Sequence, residues 1–152
     1  MSKFFSDLNV WLALLVADHQ YSAEAWNWLR GLPGPTLILC RYTQIGLLRL
    51  LTTPEVMGSI ILTLRRAWGV YDRWIADPRV EYHPEPRGVD AVFRTATSPF
   101  AGKSVPKLVG DCYLLTHAEG CHATLVNLDG GLLALAARHG HATLRLSAGS
   151  RK

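Results

Sequence analysis

Apolar residues along the chain fall into short continuous runs that alternate with longer segments of helical spacing. A short apolar run is typical of a buried strand, whereas apolar residues three or four positions apart are typical of one face of a helix. The runs predict strands over Phe4–Leu8, Thr36–Cys40, Ala123–Leu128 and Ala142–Leu146, and a polar strand is predicted over Arg79–Tyr82. The other segments predict helices over Asn9–Val16, Ala23–Arg30, Thr43–Leu51, Ser59–Ile75, Gly88–Thr97, Lys107–Glu119 and Gly131–His139.

This alternation of strands and helices indicates the fold class. Strands that are apolar on both faces, such as Thr36–Cys40, favour a parallel sheet that is covered by helices on both sides. The 152 residues fit one domain, and no repeat or interdomain linker interrupts them. Ser22 is the predicted N-cap of the second helix.

Charge is unevenly distributed over the chain. The formal net charge is +4, and 49% of the residues are hydrophobic, as in a compact globular protein. The last acidic residue is Asp129, and the charged residues after it are all basic, namely Arg138, Arg145, Arg151 and Lys152. This excess permits a polyanionic partner such as RNA, although a solvated basic surface explains it equally well.

Neither membrane association nor export is expected from the sequence. The amino-terminal apolar run, Leu8 to Ala17, lies between Asp7 and Asp18 and has about half of the length that a membrane span needs. We see no secretory signal, and the three cysteines lack the spacing of a disulfide framework. A soluble cytoplasmic protein is therefore expected.

Three aspartates occupy positions that suggest a shared site. Asp7 and Asp129 each end a predicted strand, and Asp111 lies in the first turns of the Lys107–Glu119 helix. Ligands of open parallel sheets bind beyond the carboxyl ends of the strands, so these carboxylates are expected to converge if their strands are neighbours. Because like charges repel, a hard divalent cation such as Mg²⁺ or Mn²⁺ is the natural partner of such a cluster.

Such a metal site is suited to phosphodiester hydrolysis, since the cation can activate water and polarise a phosphoryl oxygen. Each aspartate also has a simpler interpretation. Asp7 could cap the helix that follows it, and Asp111 could cap or charge-stabilise its own helix. Asp129, which precedes two glycines, could be an ordinary turn residue.

Four stretches in this order resemble the motifs of PIN-domain ribonuclease toxins of the VapC type, from toxin–antitoxin pairs. They cover most of the chain and comprise Asp7–Leu14, Thr43–Thr52, Val109–Leu115 and Ala123–Asp129. The resemblance implies a three-layer α/β/α sandwich with a central, mainly parallel sheet. It further implies one PIN-like domain over residues 1–152, with a basic tail from about residue 147.

The resemblance also implies an activity and partners. It suggests a Mg²⁺- or Mn²⁺-dependent endoribonuclease that forms a homodimer and is inhibited by a VapB-type antitoxin. In this interpretation the three aspartates hold the cation, while polar side chains orient the carboxylates or a water molecule. The proposed orienting residues are Asn9, Gln44 and Asn127, and the proposed RNA-binding residues are Arg41, Arg49 and the basic residues near the carboxyl terminus.

One departure from the family pattern affects this prediction. Many members carry a fourth acid in a Thr-x-x-Glu-x-x-Arg arrangement, and the register set by Thr43 and Arg49 puts Gly46 at that position. Gln44 is the nearest polar side chain and could act as a neutral ligand. The missing acid leaves open an alternative, a non-catalytic PIN-fold protein that binds RNA or an antitoxin without cleavage.

Overall fold

The computed structural model, which describes residues 2–128 and 130–146, contains a five-stranded parallel sheet. Its strand order is β3-β2-β1-β4-β5, and every neighbouring pair is parallel. The strands are β1 (Lys3–Ser6), β2 (Leu37–Leu39), β3 (Val80–Tyr82), β4 (Ala123–Asn127) and β5 (Thr143–Arg145). The predicted parallel sheet is therefore confirmed.

Helices connect the strands and cover both faces of the sheet. They are α1 (Leu8–Leu15), α2 (Ser22–Arg30), α3 (Arg41–Leu51), α4 (Pro54–Met57), α5 (Leu64–Ile75), α6 (Val89–Thr97), α7 (Pro106–Gly120) and α8 (Gly130–Arg138). Among the described residues, no helix combines the length and the apolar character that crossing a membrane requires.

Two buried clusters lie on opposite faces of the sheet. Leu37 and Leu39 of β2 pack with α1, α2 and α3, whereas Ile38 between them packs with α7 and α8. Successive side chains of a strand point to opposite faces, so this division means that the sheet is the middle of three layers. The predicted α/β/α sandwich is thus confirmed.

The pairing of β1 with β4 places their carboxyl ends side by side. Ser6 is opposite Val126 in the register, and the backbone N–H of Asp7 donates to the Val126 carbonyl at 3.0 Å. The residues that follow both strands therefore share one edge of the sheet, as expected from the sequence. The predicted basic tail begins at residue 147 and lies outside the described residues, as does Asp129.

Two predicted element boundaries near the amino terminus were wrong. The first strand ends at Ser6 rather than Leu8, because Asp7 caps α1 and Leu8 is already helical. Ser22 is the first residue of α2 rather than its N-cap, and the N-cap is Tyr21, whose side chain makes no capping hydrogen bond.

The predicted helix over Ser59–Ile75 was too long at its start. A 3₁₀ turn covers Gly58–Ile60, and α5 begins only after Thr63, whose hydroxyl accepts the Arg66 N–H at 3.3 Å. The apolar residues of α5 divide between two environments. Ala67 and Tyr71 are buried, whereas Leu64 and Trp68 are 56% and 41% exposed, so only the first pair serves the core.

Candidate active site

Asp7 lies at the junction between β1 and α1 and is only 8% exposed. Its Oδ1 accepts the backbone N–H of Asn9 at 2.6 Å, which makes it the N-cap of α1. The capping role considered for Asp7 is therefore confirmed. A carboxylate has two oxygens with about four acceptor sites, so a carboxylate that caps a helix can also bind other groups.

Two buried polar side chains lie at the ends of β1 and β4 beside Asp7. Ser6 is 1% exposed and Asn127 is fully buried. Within residues 2–128 and 130–146, neither the Ser6 hydroxyl nor the oxygen and nitrogen of the Asn127 amide has a hydrogen-bond partner. Each such unsatisfied group costs about 1–3 kcal/mol. These groups therefore require hydrogen-bond partners, such as water or a ligand, at this edge of the sheet.

Asp111 lies in the second turn of α7 and directly follows Gly110, which approaches the hydroxyl of Tyr42. The Tyr42 oxygen lies against Gly110, where it leaves no room for a side chain. Burial raises the pKa of Tyr42, and the negative charges of Asp111 and Asp7 raise it further. Both acids therefore act on the same hydroxyl group, which remains protonated at neutral pH and can donate a hydrogen bond.

The structure distinguishes the two predicted RNA-binding arginines, both of which are exposed on α3. The charge of Arg49 opposes the rise in the pKa of Tyr42, so Arg49 acts on the same hydroxyl as Asp7 and Asp111. Arg41 instead donates to the Gln44 side chain, and its guanidinium lies 5.5 Å from the centre of the Tyr82 ring. Arg49 is therefore the arginine on the acidic side of the helix.

Gln44 is buried, and its side chain interacts with Arg41 and Tyr71. Its amide oxygen accepts a hydrogen bond from Arg41. Burial raises the pKa of Tyr71, and the side chain of Gln44 opposes this rise. Gln44 therefore lies between Arg41 and Tyr71, and its predicted role as a ligand or water-orienting group stays a prediction.

The side chain of Leu8 occupies the space beside Gly46, the position at which a fourth acid was expected. A Cβ atom at Gly46 would lie 2.6 Å from both methyl carbons of Leu8. Such a distance is too short unless Leu8 moves. The missing carboxylate is thus replaced by an apolar side chain that directly follows Asp7.

The remaining predicted site residues are only partly described. Asp129 lies outside the described residues, and no three His, Cys, Asp or Glu side chains form a metal-binding group within the described ranges. Asn9 is exposed and lines a cleft together with Leu128 and Arg145. Whether Asn9 orients a carboxylate or a water molecule stays a prediction.

Tyr42 is the site residue that sequence reasoning missed. One signal pointed to its neighbour, since Gly110 lies inside a predicted helix, where glycine costs about 1 kcal/mol relative to alanine. A glycine tolerated at such a position indicates the close approach of another group. The sequence did not indicate that this group is Tyr42, because the contact joins α3 to α7.

Comparisons with known proteins define the family. No protein-family model matches the chain. Ribonuclease VapC41 of Mycobacterium tuberculosis is 37% identical over 130 residues, which cover 81% of this chain and 86% of the relative. The chain therefore belongs to the VapC ribonuclease family, and the resemblance drawn from its motifs is confirmed.

Solved structures share the fold at low sequence identity. Mycobacterium tuberculosis VapC20, described as a sarcin-ricin loop cleaving toxin, superposes with a TM-score of 0.68 at 14% identity, covering 94% of this chain and 99% of VapC20. Neisseria gonorrhoeae FitAcB superposes with a TM-score of 0.66 at 19% identity, covering 93% of this chain and 96% of the other. DNA-bound VapBC from Salmonella typhimurium gives a TM-score of 0.66 at 15% identity, covering 97% of this chain and 100% of the other.

Substitution of Asp7 is expected to separate its capping role from its charge. Asp7→Ala removes the N-cap and should lower the free energy of unfolding by about 1 kcal/mol, whereas Asp7→Asn preserves capping and should change it by less than about 0.5 kcal/mol. Urea denaturation followed by circular dichroism measures both values. Equal losses of stability in the two variants would contradict the capping role.

Removal of the Asp111 charge is expected to lower the pKa of Tyr42. A nearby negative charge disfavours the phenolate, so its removal makes ionisation of the hydroxyl easier. NMR titration with tyrosine labelled at Cζ measures this pKa in the parent, Asp111→Asn and Asp7→Asn. The shift should be larger for Asp111→Asn, because Asp111 has the greater influence of the two acids. Asp72→Asn, on the exposed face of α5, is the control and should leave the pKa of Tyr42 unchanged.

Proposed function

We propose that this protein is a Mg²⁺-dependent endoribonuclease, the toxin of a type II toxin–antitoxin pair, which hydrolyses phosphodiester bonds of RNA in the cytoplasm. The observation that carries the proposal is made at the carboxyl edge of the sheet. There the buried carboxylate of Asp7 follows β1, and the neighbouring β4 ends in the buried Asn127 amide, which has no partner among the described residues. This edge is where open parallel sheets bind ligands. Membership of the VapC ribonuclease family supports RNA as the substrate.

The described residues fit a hard divalent cation. Asp7 and Asp111 offer carboxylate oxygens, and the Asn127 amide oxygen is buried without a partner among the described residues. Oxygen donors of this kind suit Mg²⁺, with Mn²⁺ as an alternative. Asp129, which follows β4 by two positions, is proposed as the third carboxylate ligand. When bound, the cation would supply Lewis-acid polarisation of a phosphoryl oxygen and activation of a water molecule.

The other residues are proposed to position the substrate. Arg49 contributes a guanidinium on the acidic side of α3 and is suited to hold a phosphate. Tyr42 donates a hydrogen bond from its hydroxyl to a phosphate oxygen, because its raised pKa keeps the hydroxyl protonated. Asn127 holds its amide towards the carboxylates, and Asn9 orients a carboxylate or a water molecule. Arg41, which donates a hydrogen bond to Gln44, contacts RNA on the surface next to Tyr82.

A VapB-type antitoxin and a second copy of the chain are the proposed protein partners. Several of the solved relatives are toxin–antitoxin complexes by description, among them VapBC from Salmonella typhimurium. This chain carries exposed apolar side chains on α3, on α5 and in the segment before α5, and we assign this face to the antitoxin. The face comprises Ile45, Ile60, Ile61, Leu64 and Trp68.

A second candidate function, binding of RNA or antitoxin without cleavage, is favoured by one observation. Leu8 fills the space beside Gly46, so the site lacks the fourth acid that many family members have. Fewer carboxylates lower the affinity for a cation but also reduce the repulsion among the remaining acids. Measurement of cleavage and metal binding on the same protein separates the two functions.

Loss of the Asp111 carboxylate is expected to reduce RNA cleavage. Asp111→Asn and Asp7→Asn should each lower the rate by about 100-fold or more, since even residues outside the ligand sphere of a metal contribute about 10–100-fold. Cleavage of a single-stranded RNA in Mg²⁺ is followed by gel electrophoresis, and excess EDTA should abolish it. Asp72→Asn is the matched control because it removes the same charge from an exposed position.

Two outcomes would contradict the catalytic proposal. Unchanged cleavage in Asp111→Asn would exclude this site as the source of the activity. Absence of cleavage by the parent in Mg²⁺ and Mn²⁺, together with no metal binding in calorimetry at millimolar concentration, would instead support the non-catalytic function.

A charge on the exposed apolar face is expected to weaken antitoxin binding. Leu64→Glu should lower the affinity at least tenfold, equivalent to about 1.4 kcal/mol, because a carboxylate in an apolar contact loses its hydration. Calorimetric titration with the product of an adjacent antitoxin gene measures the affinity, and Arg65→Glu is the control on the neighbouring position. Loss of self-association with unchanged antitoxin binding would assign this face to the homodimer instead.

A further inference from the structure

A polar cavity of about 360 Å³ opens beside Asp7 at the carboxyl edge of the sheet. It connects to the acidic site through two of its lining residues. Asn9 donates its backbone N–H to Asp7, and Leu128 directly follows β4. The cavity is lined by Asn9, His19, Gln20, Tyr21, Leu128 and Arg145.

The lining residues offer donors and positive charge. None of the six lining residues in the described part of the chain is acidic, and Asn9, Gln20 and Arg145 all carry side-chain N–H groups. His19 is oriented by the backbone N–H of Tyr21, which donates to its Nδ1 at 3.1 Å. Because Nδ1 accepts this bond, the proton of the neutral ring is on Nε2, which makes His19 another donor. The cavity is therefore suited to an anion.

Arg145 supplies the positive charge of this cavity. It is exposed at the end of β5, which pairs with β4 in parallel, so it lies at the same edge as Asp7 and Asn127. Lys3, Arg79 and Arg94 pair with carboxylates, whereas Arg145 forms no ion pair with any residue in the described ranges. Its guanidinium is exposed, and its fork of N–H groups matches a phosphate.

We infer that this cavity binds a backbone phosphate of the RNA strand, next to the phosphate that is cleaved. The inference rests on the proposed function, since it extends the same site. The acids alone repel an RNA strand, whereas a neighbouring cavity of donors attracts it. The cavity thus anchors the strand on the α1 and β5 side of the acids, and Arg49 and Tyr42 of α3 contact it nearer to Asp111.

The test measures RNA binding without cleavage. A fluorescein-labelled single-stranded RNA of mixed sequence is titrated with the full chain in EDTA at several salt concentrations, and binding is followed by anisotropy. Each phosphate contact on a single strand contributes about 0.7 to the slope of log K against log salt. Arg145→Gln should lower the affinity several-fold and reduce this slope by about 0.7, whereas Arg145→Lys should keep the slope.

The control removes the same charge from the opposite edge of the sheet. Arg73 is exposed in the last turn of α5, which ends shortly before β3 begins. Arg73→Gln should leave the slope unchanged. Gln20→Ala, which removes a neutral donor, should lower the affinity without a change in slope. These different responses separate a phosphate contact from a general effect of charge or folding.

Three results would overturn the inference. The first is an equal effect of Arg145→Gln and Arg73→Gln, and the second is no binding of the RNA by the parent. The third is unchanged RNA binding of Arg145→Gln with weakened antitoxin binding, which would assign the cavity to an acidic part of the antitoxin. A parent that binds RNA with the expected slope but does not cleave it in Mg²⁺ contradicts the catalytic proposal alone.

Discussion

Two hydrogen bonds of Asp7 hold the junction on which the site depends. Its backbone N–H donates to Val126 and ties the end of β1 to β4, while its carboxylate accepts the Asn9 N–H and starts α1. The same residue therefore ends a strand, begins a helix and directs a charge to the edge of the sheet. A carboxylate this deeply buried is costly, and these bonds offset part of that cost.

Much of the architecture was predictable because it follows from local pattern. The short apolar runs correspond to strands, of which β2 is buried on both faces, and the carboxyl ends of β1 and β4 bring Asp7 and Asn127 to one edge. Helix boundaries were less predictable, because they depend on capping and packing. Thr63 starts α5 later than the amphipathic spacing indicated, and Tyr21 precedes α2 although Ser22 is the better capping residue.

The parts of the site that could not be predicted come from contacts between distant segments. Tyr42 and Gly110 meet because α3 and α7 approach each other, and nothing within either segment determines this contact. The two arginines of α3 looked equivalent in the sequence. Only the structure shows that Gln44 and Tyr82 engage Arg41, whereas Arg49 remains on the side of the acids.

The contact between Leu8 and Gly46 constrains how this site can change by mutation. A glutamate at position 46 needs space that the Leu8 methyl groups now occupy, whereas a smaller residue at position 8 frees that space and changes none of the polar residues of the site. The order of the two substitutions therefore matters. A four-acid site is reached most easily through a change at position 8 first, so the path between the two forms of the site passes through a neighbour of Asp7 rather than through α3.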